Sequence, residues 1–150
     1  MGNICRSPTA HGVFQQLVNN ASLAEQINIE SAGTIGYHTG ENPDQRAISM
    51  ALGKGVDIAK LIARKVNPID YQQQTFILAM DYDNIKNLTD DCPEQYHNKL
   101  ELLLKYHPDT NLEEVPDPYY GGSKGFTHVY AMIEIACENL LQHIRVKYSI

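Results

Sequence analysis

The first ten residues, Met1-Gly2-Asn3-Ile4-Cys5-Arg6-Ser7-Pro8-Thr9-Ala10, set small and amide-bearing residues directly before an arginine and a helix start. Gly2 and Asn3 tolerate the backbone angles that turn successive amides inward into a concave nest. Ser7 is a good N-cap, and Pro8 suits the first helical position, where its missing N–H costs nothing. Arg6 then stands where a forked guanidinium can meet an oxyanion that loop amides and the helix dipole already favour. The chemistry this predicts is capture of a phosphate monoester or a similar tetrahedral anion. The plainer reading of the same residues is a helix cap beside a surface arginine. Cys5 also reads two ways: as a small buried hydrophobe, or as a thiol whose pKa is lowered by Arg6 and the helix N-terminus.

A second group, Pro116-Asp117-Pro118-Tyr119-Tyr120-Gly121-Gly122, holds an aspartate between two prolines. Each proline fixes its own φ and restricts its neighbour, so the carboxyl group is presented from a stiff, extended stretch. As a functional group Asp117 would be a general acid that protonates a leaving phenolate. Tyr119 and Tyr120 would offer flat faces to an aryl group, or hydroxyls for hydrogen bonds. The competing reading is a proline-rich turn that caps the last helix. Cys92 and Cys137 read as structural, and the histidines at 11, 38, 97, 107, 128 and 143 lack metal-ligand spacing.

The elements that must position these groups alternate between strand and helix. With 150 residues, 43% hydrophobic and 20% charged, the chain predicts one domain, residues 1–150, with a proper core. A net charge of -6 argues against nucleic acid or an acidic membrane surface as partner, and makes Arg6 a local cation in an acidic protein. No apolar run reaches a membrane span and no secretory leader is visible. Three scattered cysteines suit a reducing cytoplasm better than a disulfide framework.

Helical spacing of Val13, Phe14, Leu17 and Val18 predicts a first helix to about Asn20. A short strand is expected over Ile27 to Ala32, a helix capped by Asp44 that stops at Gly53 and Gly55, and a strand over Thr75 to Met80 buried on both faces. Asp81 opens a further helix, Lys99 to Leu104 predicts another strand, and the last helix runs from about Gly125 to Lys147. Its buried stripe is Val129, Met132, Ile133, Ala136, Leu140, Leu141 and Ile144. This is α/β alternation around a parallel sheet covered on both faces.

Five segments, in order, resemble the low-molecular-weight protein tyrosine phosphatase family: Gly2 to Ala10, Ser31-Ala32-Gly33-Thr34, Asp57-Ile58 with Ala63-Arg64, Ile77-Leu78-Ala79-Met80-Asp81, and Asp117-Pro118-Tyr119-Tyr120-Gly121. The resemblance spans essentially the whole chain. It implies a three-layer α/β sandwich with a small parallel sheet of flavodoxin-like topology, and hydrolysis of phosphotyrosine or small aryl phosphates through a cysteinyl-phosphate, without metal or cofactor. By position Arg6 resembles the phosphoryl-binding arginine and Asp117 the general acid. Gly2, Asn3, Ile4, Cys5 and Ser7 resemble the substrate-binding loop, with Ser31 in the network around Asn3 and Ser7. Tyr37 resembles one aromatic wall, with Tyr119 and Tyr120 opposite. Cys5 also resembles the second cysteine, which in this family can trap an oxidised nucleophile as a reversible disulfide. Inorganic phosphate or sulfate would suit the loop, and a dimer is left open.

Two departures follow. The family signature is Cys-x5-Arg, yet Cys5 leads to His11, Cys92 to Asn98 and Cys137 to His143. The nucleophile is expected ahead of Met1, on a first strand that this sequence does not show, so the 150 residues alone are expected to be inactive or nearly so. Leu61 stands where the family carries a histidine that braces the loop asparagine, so Asn3 is expected to be held less firmly. The first strand would lie between the Ile27 and Thr75 strands, and with strands ~4.8 Å apart its absence leaves a slot nearly two spacings wide. A longer natural chain, cut at an internal methionine, is the expected explanation; a strand from another chain and a different fold near the start are the others. Two other functions stay open: a non-catalytic phosphate-binding module, and a thiol-dependent arsenate reductase, for which only Cys92 lies in the loop that would carry redox cysteines.

Overall fold

Oxygen-bearing side chains start three of the helices in the computed structural model, which describes residues 1–150 apart from the side chains of Tyr120 and Ser123. Asp44 accepts from the N–H of Arg46 and opens α2, Gln45–Gly53. Asn67 and Asp70 form a reciprocal capping box around Pro68 and open α3, Pro68–Gln73. Asp81 accepts from the N–H of Asn84 and opens α4, Tyr82–Asp91. The first helix, α1, departs from expectation. It spans Arg6–Asn20 with Cys5 at the N-cap and no side-chain cap. Ser7 Oγ is occupied by the Asn3 amide at 2.7 Å, and Pro8 sits within the first turn, where a missing N–H is still free of cost.

Two strands pair in parallel, β1 (Ile77–Ala79) and β2 (Leu100–Leu102), with Ile77 opposite Leu100 and α4 as the crossover. Side chains alternate between the faces of β1. Leu78, with Phe76 and Met80, packs into the cluster that α1 shares with α5, Gly122–Tyr148. Ile77 and Ala79 pack with Tyr71, Leu88 and Cys92 on the other side. Helices therefore cover both faces, as the alternation predicts. The stripe predicted on α5 is buried at every position, from Val129 to Ile144, and meets Val13, Phe14 and Val18 of α1.

The strands are shorter than the sequence predicts. Ile27 to Ala32 forms no ladder, Thr75 to Met80 contracts to β1, and Lys99 to Leu104 contracts to β2 followed by a 3-10 turn, Leu103–Tyr106. Neighbouring this region the only bridge outside the named strands joins Gly33 to Lys65, among the described residues. For residues 27–32 the physical reason is a cleft of about 900 Å³ that both residues 26–33 and residues 73–80 line. Its floor carries Ala10 and Phe14 from α1 and Cys137, Leu140 and Ile144 from α5. A ladder needs edges ~4.8 Å apart, so segments divided by such a cleft cannot bond to each other. Among the described residues, no helix is long and apolar enough to cross a membrane.

Candidate active site

Asn3 carries a φ of 61°, a left-handed conformation that asparagine tolerates better than most side chains. Its amide locks that turn from both ends. Nδ2 donates to Ser7 Oγ at 2.7 Å, and Oδ1 accepts the backbone N–H of Arg64 at 3.1 Å. Leu61 packs against the main core and gives Asn3 no bond, and the backbone N–H of Arg64 is the brace present. Arg64 is itself fixed by a fork onto Asp70, at 2.8 and 3.0 Å, and a contact with Glu30 at 2.7 Å. Gly2 has no left-handed φ; there the small residue answers crowding, because a Cβ would lie 2.7 Å from His38 Cδ2. Backbone N–H groups of Gly2 to Ser7 donate to no protein acceptor among the described residues.

Arg6 is only 6% exposed, so the surface-arginine reading fails. Its Nη1 donates to Asp81 Oδ2 and to the Val115 carbonyl, each at 2.7 Å. Asp81 divides its carboxylate, giving Oδ1 to the Asn84 N–H at the start of α4. Val115 in turn donates its N–H to the Met80 carbonyl at 2.8 Å. The loop, the carboxyl end of β1 and the proline-flanked stretch therefore meet at one guanidinium.

Asp117 stands two residues beyond Val115, exposed, and accepts the Tyr119 N–H at 3.0 Å. It caps the short turn Pro118–Tyr120 and not α5, whose N-cap is Gly121 without a side-chain bond. Gly2, Asn3, Ile4, Cys5, Arg6, Ser7, Tyr37, Asp117 and Tyr119 all line the same cleft. Tyr37 is 82% exposed and stands edge-on to the His38 ring, 4.8 Å between centroids. The Tyr120 side chain lies outside the described residues. Ser31 pairs with His11 at 3.2 Å on the cleft wall, and burial pushes the His11 pKa below its usual value. Sequence reasoning placed Asp81 and Asp44 as helix starts without a part in the site, and did not name Arg46. Asp81 had a signal, an acidic residue at the carboxyl end of a strand where a helix begins.

Cys5 follows the first of its two readings, the small buried hydrophobe. Burial first, and then Asp44 and Asp117, push its thiol up to about 12, and the pull of Arg46 and Arg6 does not offset them. Its environment is the main core. At pH 8 an ordinary thiol is about a thousandfold richer in thiolate, so iodoacetamide is expected to label Cys5 roughly a thousandfold more slowly than a model thiol. Labelling read by mass spectrometry at a normal rate would show Cys5 to be ionised. Burial also raises Cys92, and Cys137 to about 12. No group of three or more His, Cys, Asp and Glu side chains among the described residues could hold a metal ion.

Comparison with known proteins bears on this geometry. The sequence model of the low molecular weight phosphotyrosine protein phosphatases matches residues 1–149. A putative low molecular weight protein-tyrosine-phosphatase of Synechocystis is 42% identical over 142 residues, covering 94% of this chain and 90% of that one. The human low molecular weight phosphotyrosine protein phosphatase is 35% identical over 144 residues, covering 95% and 90%. The crystal structure of a protein tyrosine phosphatase from Entamoeba histolytica, with Hepes in its active site, superposes with a TM-score of 0.92 at 40% identity, covering 99% and 94%. With a shared α/β, flavodoxin-like fold and these matches over nearly its full length, the chain belongs to the low molecular weight phosphotyrosine protein phosphatases, a family of hydrolases.

Proposed function

We propose that this site binds phosphotyrosine and other aryl phosphate monoesters, and hydrolyses them when a cysteine thiolate stands before the loop. The observation that carries the reading is the convergence on Arg6, which brings Asp117 to the cleft lined by the free loop amides. The thiolate attacks phosphorus, the S–P bond forms, and the bond from phosphorus to the aryl oxygen breaks. Arg6 and the loop amides hold the equatorial oxygens while Asp117 gives its proton to the leaving phenolate. Water then attacks phosphorus, the S–P bond breaks, and the water's proton passes to Asp117. Tyr37 and Tyr119 form walls beside the ring. The scheme uses no metal. All 150 residues act as one unit, and three free cysteines suit a reducing cytoplasm.

For these 150 residues as they stand, the reading implies binding without turnover. Cys5 is buried with its thiol near 12, and Cys92 and Cys137 belong to packed clusters. Phosphate titration and an aryl phosphate assay on the same preparation test both halves. Phosphate is expected to bind, and product is expected to stay at background. Turnover that Arg6→Ala abolishes would mean that another group attacks and that the assignment of the nucleophile is wrong.

A further inference from the structure

The phosphate loop and the turn bearing Asp117 lie far apart in the sequence, and a salt-bridged pair at the start of α2 spans the two. Asp44 donates its backbone N–H to the carbonyl of Ile4 at 2.8 Å, inside the loop. Its carboxylate receives Arg46 in fork geometry, from Nε at 3.0 Å and from Nη2 at 2.9 Å. That grip leaves Nη1 to donate to the Tyr119 carbonyl at 3.2 Å. Tyr119 donates its own N–H to Asp117 Oδ1 at 3.0 Å. An unbroken path of hydrogen bonds therefore runs from the loop carbonyl of Ile4 to the carboxylate of Asp117.

Stacking adds a second constraint. The guanidinium carbon lies 5.0 Å from the Tyr119 ring centroid and 4.8 Å from that of Phe126. Phe126 is 5% exposed and fixed in the main core, so it gives the guanidinium a rigid reference. Tyr119 is half exposed and receives its orientation from the same flat cation. The turn is also anchored through Val115 and through the buried ring of Pro118, both upstream of Tyr119. At Tyr119 itself, Arg46 holds the backbone carbonyl.

We propose that Arg46 is a positioning residue: it ties the Asp117 turn to the phosphate loop at a fixed separation and holds the Tyr119 ring as the wall an aryl group meets. The inference rests on the reading of the site as one for aryl phosphates. A general acid works only within hydrogen-bond reach of the leaving oxygen, and ångström-scale misplacement is costly, so a fixed span between anion and acid has catalytic value. Arginine is required there and lysine is not equivalent. A single ammonium cannot grip both carboxylate oxygens, reach a carbonyl and lie flat on a ring together.

This separates a positioning role from plain attraction of an anion by a nearby cation. Inorganic phosphate meets the loop and Arg6 alone, whereas phenyl phosphate also meets Tyr119 and Asp117. The test titrates both anions into the 150-residue protein and its Arg46→Ala and Arg46→Lys variants by phosphorus NMR, with melting temperatures followed in parallel. Both variants are expected to lose phenyl phosphate affinity by roughly tenfold while inorganic phosphate stays within about twofold. Equal loss of both anions on Arg46→Ala, or full recovery in Arg46→Lys, would overturn the inference in favour of simple charge. No differential in either variant would overturn it too, leaving the phosphate loop intact. If the unsubstituted protein binds neither anion, the aryl phosphate reading itself fails, a result distinct from the others. Asp44→Asn keeps the shape and loosens the fork, and is expected to give about a threefold loss confined to phenyl phosphate. It carries the test if Arg46→Ala does not fold, and an equal effect on both anions would again overturn the proposal.

Discussion

Fusing an extended apolar strand that ends in cysteine ahead of Met1 raises the turnover of an aryl phosphate by at least about 10⁴-fold over the 150-residue chain. The expectation rests on what already stands in place. Asn3 holds the loop turn, Arg6 is locked by Asp81 and Val115, and Asp117 lines the same cleft. The cleft offers a seat of about 900 Å³ with an apolar floor and a sheet edge on β1. A strand laid there can bond to backbone on either side, and each apolar side chain it buries contributes ~1.5–3 kcal/mol. Thermal stability is therefore expected to rise together with activity. A matched strand ending in serine is the control: it stabilises equally and stays inert, because the hydroxyl lacks the thiolate's nucleophilicity. If the cysteine version folds, binds phosphate and still gives no product, the family scaffold is acting here as a binding module.

Replacing Arg6 has the second large effect, and on two measurements at once. Arg6→Met is expected to weaken phosphate binding by about a hundredfold, through loss of a charge-assisted fork in a buried setting. It also leaves the Asp81 carboxylate, 17% exposed, without its cation. Breaking one side of such a pair costs about 3 kcal/mol or more, since a poorly solvated charge is stranded. The double variant Arg6→Met, Asp81→Asn separates the two losses. Asparagine still offers an oxygen to the Asn84 N–H, so the α4 start survives, and no charge is left unpaired. Unfolding curves are expected to recover at least half of the lost stability while phosphate binding stays absent. Recovery of binding in the double variant would show that Arg6 is not the anion's principal partner.

Much of this site was legible because its parts lie in short windows whose meaning is local. An asparagine able to take a left-handed turn, an arginine at a helix start and an aspartate between prolines each declare themselves within a few residues. What escaped depends on partners far along the chain. Asp81 meets Arg6 across 75 positions, and Arg46 meets Tyr119 across 73, so neither pairing has a local trace. The two readings of Cys5 separate for a related reason: its neighbour Arg6 is visible in sequence, whereas the burial that outweighs it is not. Ile27 to Ala32 has the composition of a strand, yet a strand is a property of two segments, and the cleft denies it a partner. The helix Pro68–Gln73 was missed despite a clear signal, Asn67 and Asp70 around a proline.

The divided carboxylate of Asp81 closes that position to gradual change. One oxygen starts α4 and the other holds Arg6, both at 2.7 Å. A glutamate would have to choose between the two partners, because its extra methylene moves both oxygens away from the backbone N–H. An asparagine keeps the helix start and withdraws the charge from the guanidinium. Neither replacement serves both partners, so altering residue 81 is felt at residue 6 and at the start of α4 together.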